Sequence, residues 1–516
     1  MFLQFENQKL IDFSLQENRK AMQEALNQVN AQMGRHYPAI IGGKKRDASE
    51  RIVSINPSNI DEVIGTCAKA DSKMAQEAID AASGAFESWK RVPPEERANY
   101  LFKAAEVMKE RRFEFSAWIV MEAGKTWKEA DADTAEAIDF LEFYGKQMLY
   151  YAKGMPVSKV PGEENECLYI PIGVGAVISP WNFPLAILTG TTVCGVVAGN
   201  TVVVKPASNT PVIAAKFAEI WQEIGLPDGV INFLPGPGDS VGDYLTSSPE
   251  TGFINFTGSK DVGLRINKLA AEIVPGQKRI KRVVAELGGK NAIIVDKSAN
   301  LDAAAEGIVT SAFGYQGQKC SACSRAIIHK DVYNEMLERI VAKAEKLKVG
   351  PAKDYESDMG PVIDEKALNK ICRYIEIGKS EGKLILGGKA LEGSGYFIEP
   401  TIFEGVKSDA VIAKEEIFGP VLAIMKAEGF DDALNIANDT DYGLSGSVYA
   451  ADREKLNKAR EDFNVGNLYF NRKCTGALVG GHPFGGFNMS GTDSKAGGAD
   501  YLLHFMQAKA VSEKIM

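Results

Sequence analysis

From residue 167 to residue 204 the chain carries no charged side chain, a run longer than the roughly 20 apolar residues a membrane crossing needs. Prolines at 171, 180 and 184 cut it into pieces. The pieces predict a strand over 175–179, a helix over 185–198 and a strand over 201–205. Strands this continuously apolar belong to parallel sheets covered on both faces. The alternation goes on with a helix over 211–223, a strand over 230–234, a short helix over 240–245 and a strand over 252–256. It predicts a doubly wound α/β sheet. After a strand ending at Glu286 and the turn Leu287-Gly-Gly289, a second series begins, with strand 291–295, helix 301–315, strand 325–329 and amphipathic helix 332–347. Upstream, Met74, Ala78, Ile79, Ala82, Phe86 and Trp89 recur at helical spacing, as do Leu101, Ala104, Ala105 and Met108. Both sets predict core-facing stripes.

The 516-residue length suits two or three packed units. We divide it into 1–149 with 171–286, then 287–493, with 150–170 and 494–516 set apart as segments able to pair as extra strands, within or between subunits. The 59 basic against 68 acidic residues leave a net charge of -9, so no global basic field attracts nucleic acid. Residues 1–20 alternate apolar with Gln4, Glu6, Lys9 and Asp12, unlike a secretory leader, and a cytoplasmic protein is expected. Seven scattered cysteines imply no disulfide framework, and four histidines without a paired motif argue against a metal site.

Several residues have the chemistry of a reactive site. Lys205 ends a strand at the sheet edge where open α/β folds bind ligands. Gly236-Pro-Gly238 with Gly242, and Gly258 with Gly263, each follow a strand and precede a helix, as a phosphate cradle requires, though neither is a standard signature. Cys320 lies in a polar, glycine-containing segment beside Lys319, whose charge would favour the thiolate. Cys323 completes a Cys-x-x-Cys spacing, but the pair runs into a strand and lacks further zinc ligands, so Cys323 reads as incidental. Glu286 closes an apolar strand where desolvation raises a carboxyl pKa, and it suits a general base. Asn182 can donate to an oxyanion or simply form a turn.

These segments together resemble the aldehyde dehydrogenase superfamily from about residue 40 onward. The likeness rests on Pro180-Trp-Asn-Phe-Pro184, Lys205-Pro-Ala-Ser208, Phe256-Thr-Gly-Ser259, Glu286-Leu-Gly-Gly-Lys-Asn291, Gly317-Gln-Lys-Cys320, Glu415-Glu-Ile-Phe-Gly-Pro420 and Pro483-Phe-Gly-Gly486, in the family's order. The resemblance implies a Rossmann-type cofactor domain, a second α/β catalytic domain and a small β oligomerisation element. It implies Cys320 as nucleophile, Glu286 as general base, and Asn182 with the Cys320 N–H as oxyanion hole. It implies an NAD site at Ile178, Ser179, Pro180, Trp181, Lys205, Ala207, Ser208, Gly238, Gly242, Phe256, Thr257, Gly258, Ser259, Leu287, Gly288, Glu416 and Phe418. NADP is also admitted, because Ser208 stands where an acid often repels a 2′-phosphate.

Within the superfamily the chain resembles bacterial members that oxidise L-glutamate γ-semialdehyde, the open form of pyrroline-5-carboxylate, to glutamate in proline degradation. The N-terminal extension and the segment from Tyr469 to Gly480 carry that likeness. Such a substrate has an α-carboxylate, for which Thr475-Gly-Ala477 offers successive N–H groups. The resemblance implies Gly476, Ala477 and Ser321 as substrate contacts, with Glu136, Phe183 and Phe484 on the substrate side. Arg472 and Lys473 are either direct cationic partners or exposed loop charges. Succinic semialdehyde is the rival substrate, and a cofactor-independent thiol esterase or a silent binding protein are rival functions. A homo-oligomer, dimeric or larger, is implied, with a proline dehydrogenase as a candidate partner.

Overall fold

In the computed structural model, which describes residues 5–515, the uncharged segment folds into strand Val174–Ile178, helix Ala186–Val197 and strand Thr201–Lys205. Residues 1–4 of the N-terminus read above, and Met516, lie outside the described residues. The strands sit inside a seven-stranded sheet ordered Arg282–Glu286, Thr251–Thr257, Val174–Ile178, Thr201–Lys205, Ile231–Phe233, Ala39–Ile41, Lys44–Arg46. The first five are parallel and the two N-terminal strands join antiparallel. Successive side chains alternate between faces. Val177, Val202, Val204 and Phe253 enter one hydrophobic cluster, while Ala176, Val203, Ile254 and Phe256 enter another. Both faces are therefore dry, which is why the strands read as unbroken apolar runs.

The second series builds another seven-stranded sheet, ordered Lys383–Leu386, Thr401–Glu404, Val421–Ala427, Cys323–His329, Asn291–Val295, Ser445–Tyr449, Asn467–Phe470. Ala292 and Ile294 pack on one side, and Ile293 and Val295 on the other. The chain passes from the first sheet to the second through residues 287–290 alone. Glu163–Pro171 pairs antiparallel with Met506–Lys514 over nine positions, from Pro171 opposite Met506 to Glu163 opposite Lys514. The two segments expected to add strands thus pair with each other.

Helix Ser72–Trp89 starts at Asp71, whose carboxylate accepts from Met74 N at 2.9 Å. Helix Pro94–Glu110 starts on its proline with Glu95 and Glu96 in the first turn. Their stripes are core, except that Met74 and Phe86 stay half-buried. A three-stranded sheet of Arg35–Tyr37, Asn59–Ala68 and Arg51–Asn56 was not foreseen, since its strands are short or partly exposed. Among the described residues no helix is long and apolar enough to cross a membrane.

Two expectations fail locally. The helix expected over 240–245 is a π-helical turn, Gly238–Gly242, followed by the five-residue helix Asp243–Ser247. The helix expected to reach Tyr315 ends at Phe313, because Tyr315 and Gln316 adopt left-handed φ values of 49° and 55°.

Candidate active site

Parallel register brings the first set of residues together without any special device. Ile178 lies opposite Lys205 and Phe256 opposite Ile178, while Thr257 lies opposite Glu286. All stand at the carboxyl edge of one sheet, where the ladder ends and side chains face a crevice. The segment 490–494 then closes along the last strand. Leu287 N donates to Ser490 O at 2.8 Å, Thr492 N to Ala285 O at 2.9 Å, and Ser494 Oγ to Glu286 Oε1 at 3.1 Å. Glu286 Oε2 is buried with no partner among the described residues. Burial holds this carboxyl well above its usual range, against the pull of Ser494 and Lys495.

Cys320 is positioned by a strained turn. Tyr315 Oη donates to Ala123 O at 3.0 Å, and Gln316 Nε2 donates to Gly124 O at 3.2 Å and to Pro361 O at 2.7 Å. These bonds hold two non-glycine residues in the left-handed region, at a typical cost of about 1–3 kcal/mol each. Gly317 follows with φ 68°, and a β-carbon there would stand 2.3 Å from Gly419 O. Beyond it, Asn291 Nδ2 donates to Cys320 O at 2.7 Å and to Ala322 O at 2.9 Å, while its Oδ1 accepts from Ser445 N at 3.0 Å. Both amide protons of Asn291 thus clamp the cysteine loop, and its oxygen ties that clamp to strand Ser445–Tyr449.

The electrostatic expectation for this cysteine needs correction. Lys319 does not lend its charge to the thiol, because its Nζ pairs with Glu129 Oε1 at 2.8 Å. Burial, then Glu286 and Glu416, push the Cys320 thiol up to about 12. Cys320 itself is half-buried, and a neighbouring base would favour formation of its thiolate. Cys323 is buried in the core with its sulfur on Arg325 O at 3.4 Å, as its incidental reading requires.

One cavity gathers Glu136, Phe183, Glu286, Cys320, Ser321, Gly476, Ala477 and Phe484, so all six expected substrate-side residues meet Cys320 and Glu286. Asn182 is buried and spends one amide proton on Gln318 O at 3.0 Å. Glu136 is raised to about 8 by burial and by Asp133. Arg472 does not point at the cavity as a free cation: its Nη2 donates to Thr475 O at 2.9 Å and Gly476 O at 3.0 Å. It holds the carbonyls of that loop from behind. Lys473 is drawn down by burial and by the neighbouring Lys319 and Arg472.

Of the residues expected to hold a dinucleotide, Thr257 and Leu287 line the same cavity as Cys320. Lys205 Nζ donates to Pro206 O at 2.9 Å and Gly236 O at 3.1 Å, leaving one of its three protons. Burial lowers it to about 8. Ser179 N donates to Lys205 O at 3.3 Å, Pro180 continues from it, and Ala207 and the exposed Ser208 turn away after the strand. Gly242 packs on Lys205 and Ile178, whereas Gly238 faces open space. The Gly258 N–H is taken by Glu286 O at 3.0 Å, and the glycine itself is required because a β-carbon would stand 2.5 Å from the Phe256 ring. Ser259 then precedes helix Lys260–Ala271. Glu416 Oε1 accepts from Gly289 N at 2.9 Å and lies over Gly288, next to Leu287. Phe418, at φ 60°, meets Trp181 edge-on at 5.5 Å.

The aldehyde dehydrogenase family pattern matches residues 44–511. The chain belongs to this family. It is 58% identical over 509 residues, 99% of each chain, to 1-pyrroline-5-carboxylate dehydrogenase of Geobacillus sp. (strain WCH70). Among solved structures it is similar to the Thermus 1-pyrroline-5-carboxylate dehydrogenase with bound NAD, at TM-score 0.98, 53% identity and 99% coverage of both chains. It is also similar to proline utilization A (PutA) from Bdellovibrio bacteriovorus, at TM-score 0.98 and 44% identity, covering 99% of this chain and 53% of that one.

This aldehyde dehydrogenase has one feature of its site that sequence reasoning missed. Lys125, fully buried, donates to Asp133 Oδ2 at 2.8 Å, and Asp133 Oδ1 accepts from Ala186 N at 2.7 Å. The ammonium lies 3.7 Å from the centroid of the Phe183 ring and 4.6 Å from that of Tyr315. It joins the loop of Asn182 to the turn before Cys320. A signal was present: Ala130, Asp133, Thr134, Ala137, Ile138 and Leu141 share one buried face of helix Trp127–Tyr151, and an acid on such a face needs a partner.

Proposed function

We propose that this chain oxidises L-glutamate γ-semialdehyde, in equilibrium with 1-pyrroline-5-carboxylate, to L-glutamate with reduction of NAD. The observation that carries the reading is the single cavity in which Cys320 and Glu286 face the Gly476-Ala477 loop, in a chain more than half identical to relatives named for that reaction.

Glu286, its own pKa raised, accepts the proton of the Cys320 thiol, whose pKa is also raised. The thiolate sulfur adds to the aldehyde carbon, and the oxyanion takes hydrogen bonds from the free Asn182 amide proton and the Cys320 N–H. Bound NAD would supply the hydride acceptor, and loss of hydride from the carbon leaves a thioester on Cys320. Glu286 releases the thiol proton to solvent and, again a carboxylate, removes a proton from water, whose oxygen attacks the thioester. The Cys320 thiolate departs and glutamate is released with a new γ-carboxylate. The backbone N–H groups of residues 475–477, which donate to no other group among the described residues, receive the α-carboxylate, with Ser321 beside them. Glu136 and Phe183 shape the remaining walls.

The cleft fits a dinucleotide: Lys205 keeps a proton for a ribose hydroxyl, Gly238 faces open space, and Glu416 over Gly288 and Phe418 against Trp181 are available for the nicotinamide half. We assign the cofactor to residues 1–149 and 171–286, catalysis to 287–493, and oligomerisation, as a dimer or more, to 150–170 and 494–516. The exposed Ser208 leaves NADP admissible. We place the chain in the cytoplasm, and the likeness to PutA supports contact with a proline dehydrogenase.

A panel of L-glutamate γ-semialdehyde and succinic semialdehyde, each assayed with NAD and NADP, tests the reading. The highest kcat/KM is expected for glutamate semialdehyde with NAD. A higher value for succinic semialdehyde overturns the substrate, and ester turnover without nucleotide and without aldehyde oxidation overturns the reaction.

A further inference from the structure

Residues 5–11 precede the region shared with the family, yet they run across the back of the cavity. Asn7 Nδ2 donates to Asp139 Oδ2 at 2.9 Å and to Val479 O at 3.0 Å. Gln8 N donates to Asp139 Oδ1 at 2.8 Å, and Ile11 N to Asp131 Oδ2 at 2.8 Å. Both aspartates are buried on helix Trp127–Tyr151, and the arm supplies donors to them, as a buried carboxylate requires. Asp131 is further fixed by Arg112, at 2.6 and 2.8 Å. Phe5 meets Phe143 edge-on at 5.2 Å and packs so tightly on Gly480 that a β-carbon there would stand 3.1 Å from its ring.

The same helix supplies Glu136 to the cavity, and Val479 ends the stretch that begins with Gly476 and Ala477. The two protons of one amide therefore join opposite walls. The loop between has left-handed glycines at both ends, Gly476 at φ 74° and Gly480 at φ 75°. Arg472 holds its near end through the carbonyls of Thr475 and Gly476, and Asn7 holds its far end at Val479. Backbone donors bind an anion well only when they are held in place beforehand.

We propose that the N-terminal arm, acting through Asn7, is a specificity-determining strap that holds loop 475–479 ready for the substrate's carboxylate. This rests on the reading of that loop given under Proposed function. Asn7 touches no reacting atom and is a positioning residue.

The test uses the full chain with Asn7→Ala, and with Asn7→Asp, which sets a like charge against Asp139. Losing a hydrogen bond to a charged group is expected to raise KM for pyrroline-5-carboxylate about tenfold, with kcat within about twofold of wild type. KM for propanal, which has no carboxylate, stays unchanged. Amide hydrogen exchange across residues 475–480 quickens in both variants. Unchanged exchange, or equal KM increases for the two aldehydes, overturns the strap. Failure of the wild type to oxidise pyrroline-5-carboxylate overturns the functional reading instead, while the exchange measurement still decides whether the arm holds the loop.

Discussion

The carboxyl edge of the first sheet and the loop that carries Cys320 face each other across one cavity, yet they are held by different physics. Lys205, Thr257 and Glu286 stand where they do because neighbouring parallel strands are in register, and each strand is buried on both faces. Many backbone bonds share that task, so no single side chain controls it. Cys320 follows two left-handed non-glycine residues and is secured by a few side-chain amides, those of Asn291 and Gln316 above all. A general base can sit on a regular ladder, because it needs only to be near. In the role proposed for it, Cys320 must approach a carbonyl from one direction, and it is held on an irregular turn whose strain is offset by hydrogen bonds elsewhere.

The largest effect is expected for Cys320→Ala, which should lower dehydrogenase turnover by about 10⁴-fold or more while thermal unfolding stays as in wild type; NADH production at wild-type rate would show that the chemistry lies elsewhere. Next comes the buried pair that joins the two regions. Lys125→Met leaves Asp133 buried without its cation and should cost about 3–5 kcal/mol, read by denaturant unfolding, whereas Lys125→Met with Asp133→Leu should recover much of that loss. Recovery without return of activity would locate the role of Lys125 in placing Phe183 and Tyr315.

Asn291→Ala should act on the loop and spare the ladder. It strips the clamp from the carbonyls of Cys320 and Ala322 and should cost about 1–3 kcal/mol of stability; a fall in kcat is expected with NAD affinity unchanged, and a loss confined to NAD binding would contradict the assignment. The smallest effect concerns Lys205, which burial lowers to about 8. Below that pH the side chain is a cation and above it a neutral amine, so KM for NAD should rise as pH increases through about 8. Lys205→Arg, charged throughout, should flatten that limb of the profile.

Much of this was legible in the amino-acid order. Strands Thr201–Lys205 and Asn291–Val295 and helix Pro211–Glu223 were predicted to the residue, because an apolar run bounded by glycine and proline admits few other readings. Cys320, Glu286 and the substrate-side residues were singled out and meet in one cavity. The left-handed turn at Tyr315 and Gln316 was not visible, since neither residue type announces a positive φ; tertiary hydrogen bonds to Ala123, Gly124 and Pro361 impose it. Lys319 looked like the activating charge until the fold placed Glu129 beside it. Local order along the chain determines periodicity, strand ends and the residue types present. Which charge meets which, whether Asn7 reaches Val479 across 472 positions of sequence, and how deeply Cys320 and Glu286 are withdrawn from water are decided only when distant segments pack, because Coulomb and desolvation energies depend on distance and burial in space.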